Sequence, residues 1–174
     1  MTDPELPAGI RAATPDDVPA ILELIGDLAD YEHARDQVKT TPDQLRAALF
    51  DPSPAVFALV AETGHEISGF ALYFLNFSTW EGVHGIYLED LYVRPAARGT
   101  GLGRALLTAL ASIAVARGYA RVEWSVLDWN TPSIDFYRRL GAVAMDEWTG
   151  FRLTGEAIAA VGDRTAVRAT PRSD

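Results

Sequence analysis

Three stretches of the chain carry residue types able to do chemistry. The first is "RGTGLG", residues 98 to 103, between the apolar run "IYLEDLYV" and "RALLTALASIAVA". Without a Cβ, glycines let successive backbone N–H groups converge on a ligand. A helix starting directly after the loop adds unpaired N–H groups and the positive end of its dipole. The combination is a cradle suited to a pyrophosphate, with Arg98 or Arg104 at its rim. A merely tight strand-to-helix turn accounts for the glycines as well. Two other phosphate loops do not fit. A P-loop needs Lys followed by Ser or Thr, and the only lysine is Lys39; a dinucleotide fingerprint needs Gly-x-Gly-x-x-Gly, whereas the glycines are Gly99, Gly101 and Gly103.

The second stretch is "IYLEDLYV" itself. A carboxylate at Glu89 is costly to bury unless it is paired or used. Strict alternation sends Asp90 to the opposite face, so the two carboxylates are not expected to share a proton. In the third stretch, "NTPSIDFY", Asn130, Ser133 and Tyr137 sit at offsets of three and seven, on one helix face. Such a polar stripe at the start of a short helix suits a cofactor-facing surface; Tyr137 alone also reads as an amphipathic rim residue. His33, His65 and His84 lack metal-ligand spacing, and no metal is expected. His33, following Glu32, stands near the expected substrate positions, while His65 and His84 read as loop residues.

The elements that must position these groups follow from periodicity. "GIRAAT" reads as a first strand. A helix opens at Thr14 with Pro15, Asp16 and Asp17 in its first turn, and its apolar residues Val18, Ile21, Leu22, Ile25 and Leu28 recur at helical spacing. "TPDQLRAALF" repeats the start signal from Thr41. "AVFALVAE" and "SGFALYFLNF" read as strands joined through "TGHE", and "GIYLEDLYV" as a third. After the glycine loop comes a helix to about Gly118, then a strand "RVEWSVLDW". A short helix "TPSIDFYRRLG" follows, with Pro132 at its start and Gly141 past its end, and "GFRLTG" reads as a last strand. Alternating helices and strands with early antiparallel signals predict an α/β fold, a mixed sheet with helices on both faces.

A length of 174 residues fits a single domain, with a core from about 8 to 160 and a flexible tail from about 162. The absence of cysteine excludes disulfides, thiolate metal sites and a cysteine nucleophile. A formal charge of −9 argues against a nucleic-acid partner and favours cationic ligands. No apolar run is long enough to cross a bilayer, and "MTDPELPAG" lacks a secretory signal, so no membrane partner and a cytoplasmic location are expected.

Arg98-x-x-Gly101-x-Gly103 after an apolar strand resembles the acetyl-CoA pyrophosphate motif of the GCN5-related N-acetyltransferases (GNAT). "YLEDLYV", "RGTGLG", "VLDWNTPSIDFYRRLGA" and "YEHARDQV" together resemble the diamine acetyltransferases, the spermidine/spermine family, from about residue 10 to about 160. "STW", "VLDWN" and "GEAI" look closer to the thialysine-acetylating branch. The resemblance implies a GNAT fold with a mostly antiparallel, twisted sheet, and transfer of an acetyl group from acetyl-CoA to the primary amine of a small polyamine, diamine or thialysine-like amino acid.

It further implies that Leu91, Tyr92, Val93, Arg98, Gly99, Thr100, Gly101, Leu102, Gly103, Arg104, Asn130 and Ser133 hold the cofactor. Tyr137 would donate a proton to the departing thiolate. Glu89 would accept the amine's proton, directly or through water, or else only anchor the substrate. Tyr31, Glu32, Glu123, Trp124 and Ser125 match amine-binding positions, and a homodimer is implied. One departure is Thr149, where the family carries an acidic residue, although Glu147 is near; this disfavours the longest polyamines. Two rival readings remain: an acetyltransferase acting on a protein or peptide amine, and a CoA-binding relative without catalysis.

Overall fold

A computed structural model describes residues 4–163, and in it the chain divides after Val126 into two compact units. The expected flexible tail lies outside the described residues from position 164 on.

The first unit contains β1 (Ile10–Ala12), α1 (Val18–Tyr31), α2 (Pro42–Phe50), β2 (Phe57–Thr63), β3 (Glu66–Ser78), β4 (Val83–Val93), α3 (Leu102–Arg117) and β5 (Val122–Trp124). The strands form one sheet in the order β1-β2-β3-β4-β5. The first four pair antiparallel, and β5 runs parallel to β4. This is the mixed, mostly antiparallel sheet that the patterning predicts. Ala58, Val60, Phe70, Leu72 and Tyr92 are buried on one face with Val18, Ile21 and Leu24 of α1 and Leu45 and Leu49 of α2. The alternate residues Leu59, Ala61, Ala71, Ile86 and Leu88 are also buried, and α3 packs on this second face with Leu106, Leu107 and Leu110. Alternation along the strands and a single apolar stripe per helix therefore give two cores, one on each side of the sheet.

The start signal at Thr14 produces a 3₁₀ turn, Pro15–Asp17, rather than the first turn of α1. Asp17 accepts the Thr14 backbone N–H at 2.7 Å and the Thr14 hydroxyl at 3.0 Å, while Arg11 of β1 donates to its two oxygens at 2.6 and 2.9 Å. The Arg11 hydrogen bonds, against the cost of burial, bring the Asp17 pKa down to about 2. Because the folded pKa lies below the unfolded one, this stabilisation is complete above about pH 4 and is lost as pH falls through 2. Asp17→Ala should cost about 2 kcal/mol at pH 7. Urea unfolding at pH 7 and pH 3 checks it, the difference between wild type and variant shrinking at the lower pH.

Three sequence expectations are corrected. His84 is a strand residue: it sits in β4 opposite Phe77, its ring edge-on to Phe77 and Tyr119 at centroid distances of 5.4 and 5.8 Å. The strand expected over "RVEWSVLDW" stops at Trp124, since β5 pairs only with Ile86, Tyr87 and Leu88. Beyond Leu88, β4 carries a bulge, and bulges bend and twist a strand away from regular pairing.

The third correction lies in the second unit, which contains α4 (Thr131–Arg139) and α5 (Glu156–Gly162). The expected strand at "GFRLTG" is irregular chain. Alternation of Phe151 and Leu153 makes a strand only where a neighbouring ladder takes up the backbone groups, and no described strand pairs with this segment.

Candidate active site

The glycine loop joins β4 to α3 through a 3₁₀ turn, Pro95–Ala97. Gly99 and Gly101 adopt left-handed φ values of +79° and +94°, which L side chains rarely take. No protein atom lies within 4 Å of where their Cβ atoms would stand, so the space before the loop backbone is open. Gly101 is the N-cap of α3, a helix of 16 residues, and its carbonyl accepts the first helical N–H, from Ala105, at 2.9 Å. The unpaired amides of that helix start, the open space and exposed Arg104 fit a phosphate-bearing ligand. Thr100 is turned back, its hydroxyl donating to the Ala97 carbonyl at 2.7 Å.

Arg98 is exposed and held by contacts within the chain. Its Nε donates to the Val93 carbonyl at 2.9 Å, and its guanidinium lies over the rings of Tyr31 and Tyr92, at 5.3 and 5.4 Å from their centroids. It therefore ties the loop to the end of β4 and to the C-terminal end of α1. Tyr92 is buried in the core on the α1 side, so only its backbone is available to a ligand. The backbone of Leu91 to Val93 pairs with Gly69 to Ala71 of β3, and no strand pairs with its other edge among the described residues. That edge presents main-chain donors and acceptors to a ligand lying along β4 as an added strand would.

The bulge changes the carboxylates. Leu72 pairs with Asp90 and Tyr73 with Leu88, so Glu89 is the extra residue. Leu88 and Asp90, two apart, consequently face opposite sides of the sheet, and strict alternation ends at Glu89. Asp90 turns to the α1 side, opposite Leu72. Burial, reinforced by the negative charges of Glu89 and Glu32, raises its pKa to about 6. Glu32, the C-cap of α1, is itself shifted upward by burial. Glu32 and Glu89 thus stand close enough to Asp90 for their charges to act on it. The placement of Asp90 is what the sequence reading misses: a bulge depends on register against β3, and "LEDL" does not announce one.

The β5 residues divide between the faces. Glu123 accepts a hydrogen bond from Asn76 Nδ2 of β3 at 2.7 Å and forms an ion pair with Arg121 Nε at 2.8 Å, so its carboxylate has partners within the chain. Ser125 shares a 2.9 Å hydrogen bond with the Tyr87 hydroxyl, and the Tyr87 ring stacks on Phe74 at 5.0 Å. Trp124 lies between Glu123 and Ser125 and pairs with Leu88, which places it on the α3 side of the sheet. His33, after Glu32, holds a left-handed φ of +58°.

In the second unit, Asn130 is the N-cap of α4 and its side-chain oxygen accepts the Ser133 N–H at 3.4 Å. Pro132 occupies the first turn, and α4 carries Asn130, Ser133 and Tyr137 along one face. The Tyr137 ring lies 5.4 Å from that of Phe136.

Comparison with known proteins agrees with this arrangement. Residues 20–142 match the profile described as the acetyltransferase (GNAT) family. The chain is 41% identical over 160 residues to thialysine N-epsilon-acetyltransferase of Bos taurus, covering 86% of this chain and 94% of that one. It is 33% identical over 197 residues to an L-ornithine N5-acetyltransferase of Arabidopsis thaliana, covering 87% and 86%. Among solved structures, an aminoglycoside acetyltransferase from an uncultured soil metagenomic sample superposes with a TM-score of 0.71 at 20% identity, covering 83% and 94%. No described helix is long and apolar enough to cross a membrane, and no described group of His, Asp or Glu could hold a metal ion.

Proposed function

Since the chain belongs to the acetyltransferase (GNAT) family and is an acetyl-CoA-dependent N-acetyltransferase, we propose that its acceptor is a small primary amine bearing a second polar or charged group, a thialysine-like amino acid or a diamine. The observation that carries this reading is half-buried Asp90 with the carboxylates of Glu89 and Glu32 near it and Tyr31 adjoining Glu32, an acidic group that a cationic ligand would neutralise. Names of the relatives point the same way, to thialysine and ornithine. The match of one family profile to residues 20–142 supports a single acetyltransferase domain. The family resemblance carries a homodimer, which the mass in solution checks, and the absence of cysteine suits the cytoplasm.

In this reading Gly99, Gly101, Leu102, Gly103 and Arg104 hold the pyrophosphate, Arg98 and Thr100 brace the loop, and the backbone of Leu91 to Val93 takes the pantetheine arm. Asn130, the cap of α4, and Ser133 in its first turn match the family's cofactor-contacting positions. Acetyl-CoA supplies an activated acyl thioester. A backbone amide of β4 polarises its carbonyl. Tyr137 holds a proton at its hydroxyl for the departing thiolate: a phenol of pKa about 10 is protonated at neutral pH. Tyr31 and Glu32 hold the acceptor with Ser125, while Glu123 and Trp124 form the wall, the carboxylate of one being paired and the ring of the other turned to the α3 side. Glu89 is proton acceptor or anchor.

Thr149, in place of an acidic family residue, removes one distal anchor. Thialysine, ornithine and putrescine should therefore exceed spermine in kcat/KM when all are assayed under one set of conditions. A strong preference for spermine would contradict the argument from Thr149. Reaction of a peptide amine alone would contradict the small-amine reading.

A further inference from the structure

Resting on the reading that Tyr31 and Glu32 hold the acceptor amine, we propose that Arg35 is a positioning residue for that site. Its guanidinium seats in a notch that Gly26 leaves in α1, and this fixes the end of the helix for amine binding.

Gly26 lies inside α1, where glycine is among the poorest helix formers. Its φ is not left-handed, so the backbone does not call for glycine. The space does. A Cβ at Gly26 would stand 2.6, 2.7 and 2.9 Å from Nη1, Cζ and Nη2 of Arg35, closer than a side chain can sit. The guanidinium thus lies against bare helix backbone, and a methyl group there would push it off. Asp30, one turn further along the same face, accepts from Arg35 Nη1 at 2.7 Å. More than half of each of these two side chains is exposed, so the ion pair alone would hold little. Seat and ion pair together give the cation one place on the helix.

What this anchors is a reversal of the chain. The His33 N–H donates to the Asp30 carbonyl at 3.2 Å, and the Ala34 N–H to the Ala29 carbonyl at 2.8 Å. That pair of bonds ends a helix through a left-handed residue, here His33 at a φ of +58°. Glycine usually fills this position, and a histidine there carries a steric cost. Arg35 then opens a 3₁₀ turn, Arg35–Gln37, and its side chain returns to α1. Tyr31 and Glu32 lie between Asp30 and Arg35, within the loop that this contact closes. The clamp belongs to α1 and the segment after it, and residues 98 to 104 are no part of it. Its loss should therefore act on the amine and not on the cofactor.

Kinetics with thialysine, calorimetry with CoA and amide hydrogen exchange test this on the whole enzyme. Gly26→Ala and Arg35→Ala should each raise the amine KM about three- to tenfold, the effect of having to order one side chain on binding, with kcat and CoA affinity unchanged. The double variant should be no worse than either single one, because both open the same contact. Arg35→Lys should fall between wild type and Arg35→Ala, since an ammonium keeps the charge for Asp30 but has no plane to lay on the helix. The Tm of Gly26→Ala should hold or rise by up to about 4 °C, alanine being the better helix former, which sets the raised KM apart from damage to the fold. Exchange of the His33 and Ala34 amides, which needs no turnover, should quicken about tenfold in both single variants. An unchanged KM, unchanged exchange, additive losses in the double variant or an equal loss of CoA affinity would each overturn the clamp. Glu32→Gln separates this from the reading beneath it. A raised KM in Glu32→Gln with none in Gly26→Ala keeps the amine site and discards the clamp. An unchanged KM in Glu32→Gln removes the amine from the end of α1, and the proposal with it.

Discussion

Tyr137→Phe should lower turnover by about a hundredfold or more while leaving acetyl-CoA affinity unchanged. The substitution keeps the ring and its place beside Phe136 on α4, so the helix and its Asn130 cap persist. Only the hydroxyl proton is removed. Transfer from a phenol of pKa about 10 to a thiolate whose conjugate acid has a pKa of about 8.5 is uphill by only about 2 kcal/mol, and without it the thiolate must leave charged. Steady-state kinetics and calorimetry on the same preparation separate the two effects. Full activity in Tyr137→Phe would remove this residue from the mechanism, and a parallel loss of affinity would recast it as a cofactor-binding residue.

Gly101→Val should weaken CoA binding by roughly ten- to hundredfold, the worth of one or two hydrogen bonds to a charged group. Two causes act together. A β-branched residue is strained at the Gly101 φ of +94°, and its side chain enters the space before the loop that now holds no protein atom. Gly103 has no such left-handed φ, so Gly103→Val probes close approach without that strain. Calorimetric titration of CoA into both folded variants reads the effect. Unchanged affinity in both would mean the glycines serve only the turn between β4 and α3.

What the sequence discloses is local, and what it hides depends on pairing at a distance. Helical spacing from Val18 to Leu28 and alternation in β2 and β3 follow from which faces must leave water, so those elements are legible without a structure. Gly99 and Gly101 are legible for the same reason, since their conformational freedom is a property of the residues themselves. The Glu89 bulge is not, because it is fixed by where Leu72 and Tyr73 fall against β4. Asp90 follows the bulge, and its burial on the α1 side, with Glu32 of another element near it, is likewise fixed by the fold. Arg98 presents a similar case: the sequence offers a cation beside a phosphate loop, and the fold brings the rings of Tyr31 and Tyr92 within its reach. Glu123 finds Asn76 from 47 positions away, a pairing that no local pattern in the sequence announces. Phe151 and Leu153 show the converse, an alternating pattern for which no described strand supplies a ladder.

The most direct test of the account is product analysis. The protein is incubated with acetyl-CoA and thialysine, ornithine or putrescine, and free CoA and the acetylated amine are followed together by mass spectrometry. The N-acetyl amine and CoA should appear in equal amounts, with an initial rate that depends on enzyme concentration and falls steeply in Tyr137→Phe. CoA binding without acetyl transfer to any small amine would contradict it.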